Sequence, residues 1–126
     1  MRVTQLNHVA LHVDDVGKSE KFYAEVLGLD RMPRPAFTFP GAWFRIGVDQ
    51  ELHLIGRDPQ SDVPPRERHF ALMVQSIEEA EQRLLAKGWS YREPKRRPDG
   101  ATQIFLQDPD GHWIELCTPP AGSAET

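Results

Sequence analysis

The sequence predicts an α+β fold in which two similar βαβββ modules follow one another within one domain of 126 residues. Residues 7–13 (NHVALHV) and residues 68–74 (RHFALMV) are alike, and each reads as a half-buried strand that begins near a histidine. A polar turn and an amphipathic helical pattern follow each of them. His8 and His69 are 61 positions apart, close to half the chain. Similarity at this offset indicates a duplicated unit.

The first module begins with a strand over about residues 6–13. Its side chains alternate, so an apolar face lies opposite a face that carries His8 and His12. Asp14 or Asp15 is a suitable N-cap for the helical pattern that follows, and Gly28 stands where a helix often ends.

The rest of the first module predicts three strands. A short one lies near Arg31, and longer ones cover residues 43–48 and 51–55, with His53 facing away from the apolar side of the last. Residues 57–65 are polar and rich in proline, which is typical of a linker. We therefore divide the single domain, residues 1–126, into module one at about 3–56, a linker at about 57–66 and module two at about 67–118.

The second module repeats this order. A strand opens at His69, and Ser76 and Glu79 have the spacing of a capping box at the start of a helix. The pattern then predicts a short strand over residues 89–93 and a basic, turn-rich loop over residues 94–100. Strands at 102–107 and 113–118 are joined by a hairpin at 108–111 (DPDG).

Composition excludes several functional classes. The net charge of −4 gives no electrostatic help in binding nucleic acid. No apolar run approaches the length of a membrane helix, and the N-terminus lacks the apolar core of a signal peptide. Cys117 is the only cysteine, which fits a reducing cytoplasm and rules out an internal disulfide framework.

A single βαβββ unit leaves one face of its sheet uncovered. Pairing two such units, within one chain or across a dimer, would close that face into a curved cleft with the helices on its outer side. Each module carries residues of the metal-ligand type at its beginning and near its end. These residues are His8, His53, His69 and Glu115.

Three segments resemble the vicinal-oxygen-chelate superfamily. They are residues 7–11 (NHVAL), the helix pattern with Phe22-Tyr23 that closes at residues 27–29 (LGL), and residues 108–116 (DPDGHWIEL). The resemblance covers roughly residues 3–119. The superfamily includes glyoxalase I, fosfomycin thiol transferases, methylmalonyl-CoA epimerase, extradiol dioxygenases and bleomycin-binding proteins.

The resemblance implies a metal site. His8, His53, His69 and Glu115 match the four strand positions that carry metal ligands in glyoxalase I-like members. Imidazole and carboxylate suit Zn, Ni, Mn, Co or Fe(II). Four protein ligands leave open positions at which a substrate could chelate through two adjacent oxygens. The resemblance also implies a homodimer and a small-molecule substrate.

Candidate catalytic residues are Glu115, His53 and His12. Glyoxalase I usually has a carboxylate where this chain has His53, so a histidine there would keep coordination and remove a candidate base. Glyoxalase I-like proteins carry an arginine for an anionic substrate group at the position of His12. His12 could bind substrate, shuttle a proton or only line the wall of the cavity. Arg45 could line the pocket or be an exposed strand residue. Cys117 is expected to be a small buried side chain that fills space in the core.

Several functions are consistent with this pattern. The first is a metal-dependent lyase or isomerase of the glyoxalase I type that acts on a small oxygenated, anionic substrate. The second is an Fe(II) extradiol dioxygenase, which uses two histidines and one carboxylate, or a thiol transferase of the same superfamily. The third is a protein that sequesters a drug or ligand without catalysis, as bleomycin-binding members do.

Overall fold

A computed structural model of the protein describes residue 2, residues 5–56 and residues 68–119. The chain forms two compact units, Met1–Asp62 and Val63–Thr126. Each unit contains one four-stranded mixed sheet, and the two are described in turn. Within the described part of the chain, no helix is long and apolar enough to cross a membrane.

The first unit has the order strand, helix, three strands. Strand β1 covers His8–Val13, helix α1 Val16–Lys21, and strands β2, β3 and β4 cover Asp30–Met32, Gly41–Ile46 and Gln50–Gly56. The sheet order is β1-β4-β3-β2. β1 is parallel to β4, whereas β2, β3 and β4 are joined antiparallel. In this order β4, the last strand of the module, lies next to β1, the first strand.

Helix α1 begins at the cap that the sequence indicated. The Asp15 carboxylate accepts a hydrogen bond from the Lys18 N–H at 3.0 Å. A π-helical segment, Phe22–Val26, continues the helix and buries Phe22 and Tyr23. Gly28 follows the C-cap residue Leu27 with a φ of 76°, a conformation that glycine adopts without steric cost. α1 packs on β3 and β4, where the buried core includes Phe44, Leu52 and Leu54.

The second unit repeats the arrangement. Strand β5 covers His69–Met73, helix α2 Ile77–Ala86, and strands β6, β7 and β8 cover Lys95–Arg96, Thr102–Gln107 and Trp113–Cys117. The sheet order is β5-β8-β7-β6, with β5 parallel to β8. The Ser76 hydroxyl accepts a hydrogen bond from the Glu79 N–H at 3.2 Å and caps α2. The core of this unit lies between α2 and the sheet and includes Leu84, Ile104, Leu106 and Ile114.

The α+β class and the βαβββ order of each unit are confirmed. The strand predicted over residues 89–93 is wrong: the short edge strand is Lys95–Arg96, inside the predicted loop. The earlier segment is held by side chains and by one backbone bond to β7. Trp89 donates from its indole to the Gln107 carbonyl at 2.8 Å, Tyr91 donates to Glu81 at 2.9 Å, and the Arg92 N–H donates to the Phe105 carbonyl at 2.8 Å. The linker predicted at 57–66 lies outside the described residues.

Candidate metal centre

His8 and His53 are brought together by the parallel pairing of β1 with β4. The register aligns Ala10 with His53 and His8 with Glu51, so the two histidines are diagonal neighbours on adjacent strands. The alternation of β1 puts His8 on its exposed face, opposite the buried side chain of Val13. The imidazole rings of His8 and His53 stack with their centroids 4.3 Å apart.

Each ring of this pair has a further polar partner. His8 Nδ1 is 2.8 Å from the Asn7 side-chain oxygen. His53 Nε2 is 2.8 Å from Glu51 Oε1, and the other face of the His53 ring stacks on Trp43 at 3.8 Å. The first unit therefore presents two imidazoles in defined orientations.

The second unit uses the same register. Ala71 pairs with Glu115 as Ala10 pairs with His53, and His69 opens β5 as His8 opens β1. His69 Nε2 lies 3.2 Å from Glu115 Oε1. Phe105, paired with Glu115 across β7 and β8, meets the His69 ring edge-on at 5.2 Å. An imidazole nitrogen and a carboxylate oxygen are thus held side by side.

The carboxylate of Glu115 is buried, with its side chain only 7% exposed. Among the described residues Glu115 Oε2 has no hydrogen-bond partner. Arg97 Nη1 lies 3.6 Å from that oxygen, close enough for an ion pair but too far for a hydrogen bond. A buried charged oxygen without a hydrogen bond is costly, and a cation or a bound ligand would offset that cost.

Arg97 is itself fixed by Asp99. Its guanidinium donates to Asp99 Oδ2 at 2.7 Å and to Oδ1 at 3.2 Å. These hydrogen bonds are the first cause of the lowered pKa of the Asp99 carboxyl, with a backbone bond from Ala101 second. Asp99 therefore stays ionised and holds Arg97 beside Glu115.

Among the described residues, the groups around Cys117 do not activate it as a nucleophile, because their combined effect opposes ionisation of the thiol. Burial, and then the negative charge of Glu115, raise the pKa of its thiol above the ordinary value. A reactive cysteine needs the opposite shift. The interpretation of Cys117 as a buried filler agrees with its burial in the sheet.

The structure thus pairs His8 with His53 and His69 with Glu115, one pair in each unit. In the part of the chain that is described, no group of three or more His, Cys, Asp or Glu side chains is arranged to hold a metal ion. His12 lies on the exposed face of β1, opposite Ile55 of β4. The assignment of the four ligands to one ion and the catalytic role of His12 stay predictions.

Sequence reasoning missed three neighbours of these pairs. Glu51 lies two residues before His53, and the two-residue strand period could have placed it on the same face. Trp43 is the cross-strand partner of His53, which only the register reveals. Arg97 lies in the basic, turn-rich loop predicted over residues 94–100, and nothing in the local sequence indicates that it reaches Glu115.

The sequence model of the Glyoxalase/Bleomycin resistance protein/Dioxygenase superfamily matches residues 5–116. This span includes Glu115 and the three strands that carry histidines, β1, β4 and β5. The chain belongs to this superfamily. The match confirms the resemblance carried by the NHVAL and DPDGHWIEL segments.

Several superfamily members are similar over most of their length. The chain is 31% identical to Glyoxylase I 4 of Arabidopsis thaliana, covering 93% of this chain and 72% of that protein. It is 31% identical to the lactoylglutathione lyase of Salmonella typhimurium, covering 89% and 90%. It is 36% identical to the glutathione transferase FosA of Serratia marcescens, covering 88% and 78%.

Solved structures agree with this membership. A protein from Bacillus anthracis described as belonging to the glyoxalase family is 27% identical, covers 94% of this chain and 97% of that one, and has a TM-score of 0.81. A glyoxylase/bleomycin resistance protein/dioxygenase domain from Frankia has a TM-score of 0.80 over 96% of both chains. At 22% identity, that second likeness concerns the fold alone.

Proposed function

We propose that this protein is a divalent-metal-dependent lyase or isomerase of the glyoxalase I type. The observation that supports it most is the pair formed by His69 and the buried Glu115. Its nitrogen and oxygen are 3.2 Å apart, and the second carboxylate oxygen has no hydrogen bond from any described residue. Two ligand atoms about 2.0–2.2 Å from one ion are separated by about this distance. The pair therefore fits a metal ion.

In this proposal His8, His53, His69 and Glu115 hold the ion, two from each unit. Their donors are three imidazoles and one carboxylate, which suit Zn, Ni, Mn, Co or Fe(II). A bound ion would supply Lewis acidity to a small oxygenated, anionic substrate that chelates it.

The chain's own residues would perform the remaining chemistry. Glu115 is the candidate proton acceptor, because its carboxylate is buried beside His69 and its second oxygen has no hydrogen bond from any described residue. His53 and His12 are further candidates for proton transfer, and His12 could also bind an anionic part of the substrate. Arg97 would contribute positive charge where negative charge develops.

The relatives support a lyase first and a thiol transferase second. The Salmonella relative is a lactoylglutathione lyase, and the Serratia relative is a glutathione transferase. Both names involve glutathione, so a glutathione-linked substrate is the first to test. The third candidate, ligand sequestration without catalysis, has no particular support in the geometry. The imidazole and carboxylate donors also suit an extradiol dioxygenase. We rank that activity with the thiol transferase, behind the lyase.

The test is an assay of lactoylglutathione formation and breakdown with protein loaded with each candidate ion. The proposal expects turnover with at least one ion, loss of turnover on chelation, and loss in Glu115→Ala. Catalysis of glutathione transfer to an electrophile, without lyase activity, would favour the second function. Turnover that is equal in chelated and loaded protein would contradict metal dependence.

Assembly and location are also proposals. A homodimer is expected from the resemblance, and sedimentation of the purified chain at several concentrations tests it. The proposed cytoplasmic location rests on the single cysteine, Cys117, which fits a reducing compartment. Fractionation of the source cells tests the location.

A further inference from the structure

The imidazole of His53 is confined on both faces. Trp43 stacks on one face with the ring centroids 3.8 Å apart and the planes within 3° of parallel. His8 stacks on the other face at 4.3 Å and 17°. Only 14% of the His53 side chain is exposed. The two stacks fix the plane of the ring, so what remains to be set is which way its nitrogens point within that plane.

Glu51 sets that direction. Its Oε1 lies 2.8 Å from His53 Nε2, a short distance typical of a hydrogen bond to a charged acceptor. Both residues are on β4, two positions apart, so their side chains lie on the same face of the sheet. The Glu51 side chain is 20% exposed, which limits competition from water.

Glu51 is in turn held by β3. Arg45 is its cross-strand partner, and Arg45 Nη1 is 3.7 Å from Glu51 Oε2. The guanidinium lies near one carboxylate oxygen while the imidazole bonds the other. Arg45, Glu51 and His53 thus form a polar row across one face of the first unit, next to the stack of rings.

We infer that Glu51 is a positioning residue for His53. A carboxylate accepts hydrogen bonds, so in a neutral imidazole it selects the form with the proton on Nε2 and leaves the lone pair on Nδ1. The role in metal binding rests on the proposed function, because it takes His53 as a ligand. Glu51 then determines which nitrogen of His53 faces a metal ion and lowers the entropic cost of ordering that ligand.

The first test measures the ring without any metal. Nitrogen-15 NMR of the metal-free protein at about pH 8.5, above the ordinary histidine pKa, reports which nitrogen carries the proton. The expected result is the Nε2–H form in the wild type and in Glu51→Gln, whose amide oxygen can still accept. Glu51→Ala should give a mixture of both forms. A wild type with the proton on Nδ1, or a Glu51→Ala variant with an unchanged ring, would overturn the inference.

The second test measures the dissociation constant for Zn²⁺ or Ni²⁺ by calorimetry. Loss of a carboxylate behind a metal-binding histidine weakens affinity by about 10- to 100-fold, and Glu51→Ala should fall in that range. Glu51→Gln should recover most of the affinity. Glu20→Ala is the matched control, since it removes an exposed carboxylate that pairs with Arg31 in the same unit. It should bind as the wild type does.

The outcomes separate the two proposals. If the wild type binds no ion, the proposed function fails, and the NMR result alone decides whether Glu51 orients His53. If the wild type binds an ion and Glu51→Gln loses as much affinity as Glu51→Ala, the charge of Glu51 acts directly on the ion. That result would contradict a positioning role.

Discussion

At the scale of single residues, the structure depends on how Glu115 is stabilised in a buried position. Its partners are His69 at 3.2 Å and Arg97 at 3.6 Å. Each offsets part of the cost of keeping a charge away from water. The sequence identified Glu115 and His69 as candidates because they recur at matching positions of the two modules. It could not identify Arg97, because that contact depends on where a loop folds back over the sheet.

Removing His69 should destabilise the fold. His69→Ala leaves the buried carboxylate with one partner fewer, so we expect the free energy of unfolding to fall by about 1–3 kcal/mol. Glu115→Gln in the same chain should restore most of that loss, because a neutral amide is cheaper to bury. Urea unfolding of the two single variants and the double variant measures this. Equal stability of His69→Ala and the wild type would contradict the account of the pair.

Arg97 should control the ionisation of Asp99. Hydrogen bonds from Arg97 lower the pKa of the Asp99 carboxyl below 3.8, its ordinary value. The folded value lies below the unfolded one, so this stabilisation is present above the unfolded pKa and is lost as the pH falls through the folded pKa. A carbon-13 NMR titration should show the lowered pKa in the wild type and a return toward the ordinary value in Arg97→Gln. A wild-type pKa at or above the ordinary value would be the contrary result.

At the scale of elements, the local patterns predicted most helices and strands. Capping residues are local signals, and Ser76 and Asp15 both cap the helices that the sequence indicated. The π-helical segment after α1 was not predicted, because its i+5 hydrogen bond from Leu27 to Phe22 depends on packing. The edge strand Lys95–Arg96 was misplaced because residues 89–93 are held by isolated bonds from the Trp89 and Tyr91 side chains and the Arg92 N–H, which leave no periodic pattern in the sequence.

The cap of α2 gives a prediction at this scale. Ser76→Ala removes the acceptor of the Glu79 N–H and should lower stability by about 1 kcal/mol. Ser76→Asp retains an acceptor at the same position and should be near the wild type. Thermal unfolding followed by circular dichroism compares the three proteins. If Ser76→Asp loses as much stability as Ser76→Ala, the side-chain cap does not stabilise the N-terminus of α2.

At the scale of the whole molecule, the duplicated unit is the main feature. The same register places His53 opposite Ala10 in one sheet and Glu115 opposite Ala71 in the other. An aromatic side chain, Trp43 or Phe105, packs against an imidazole in each. The sequence predicted the duplication from its 61-residue offset. It could not predict the ring stacks, which require two strands to be aligned residue by residue.

If one ion uses ligands from both units, damage to either unit should abolish binding. Calorimetric titration of metal-free protein with a divalent ion is the most direct measurement. The account predicts one ion per chain for the wild type, with strong loss of affinity both in His8→Ala with His53→Ala and in His69→Ala with Glu115→Ala. A wild type that binds no ion, or a variant of either kind that binds as tightly as the wild type, would contradict it.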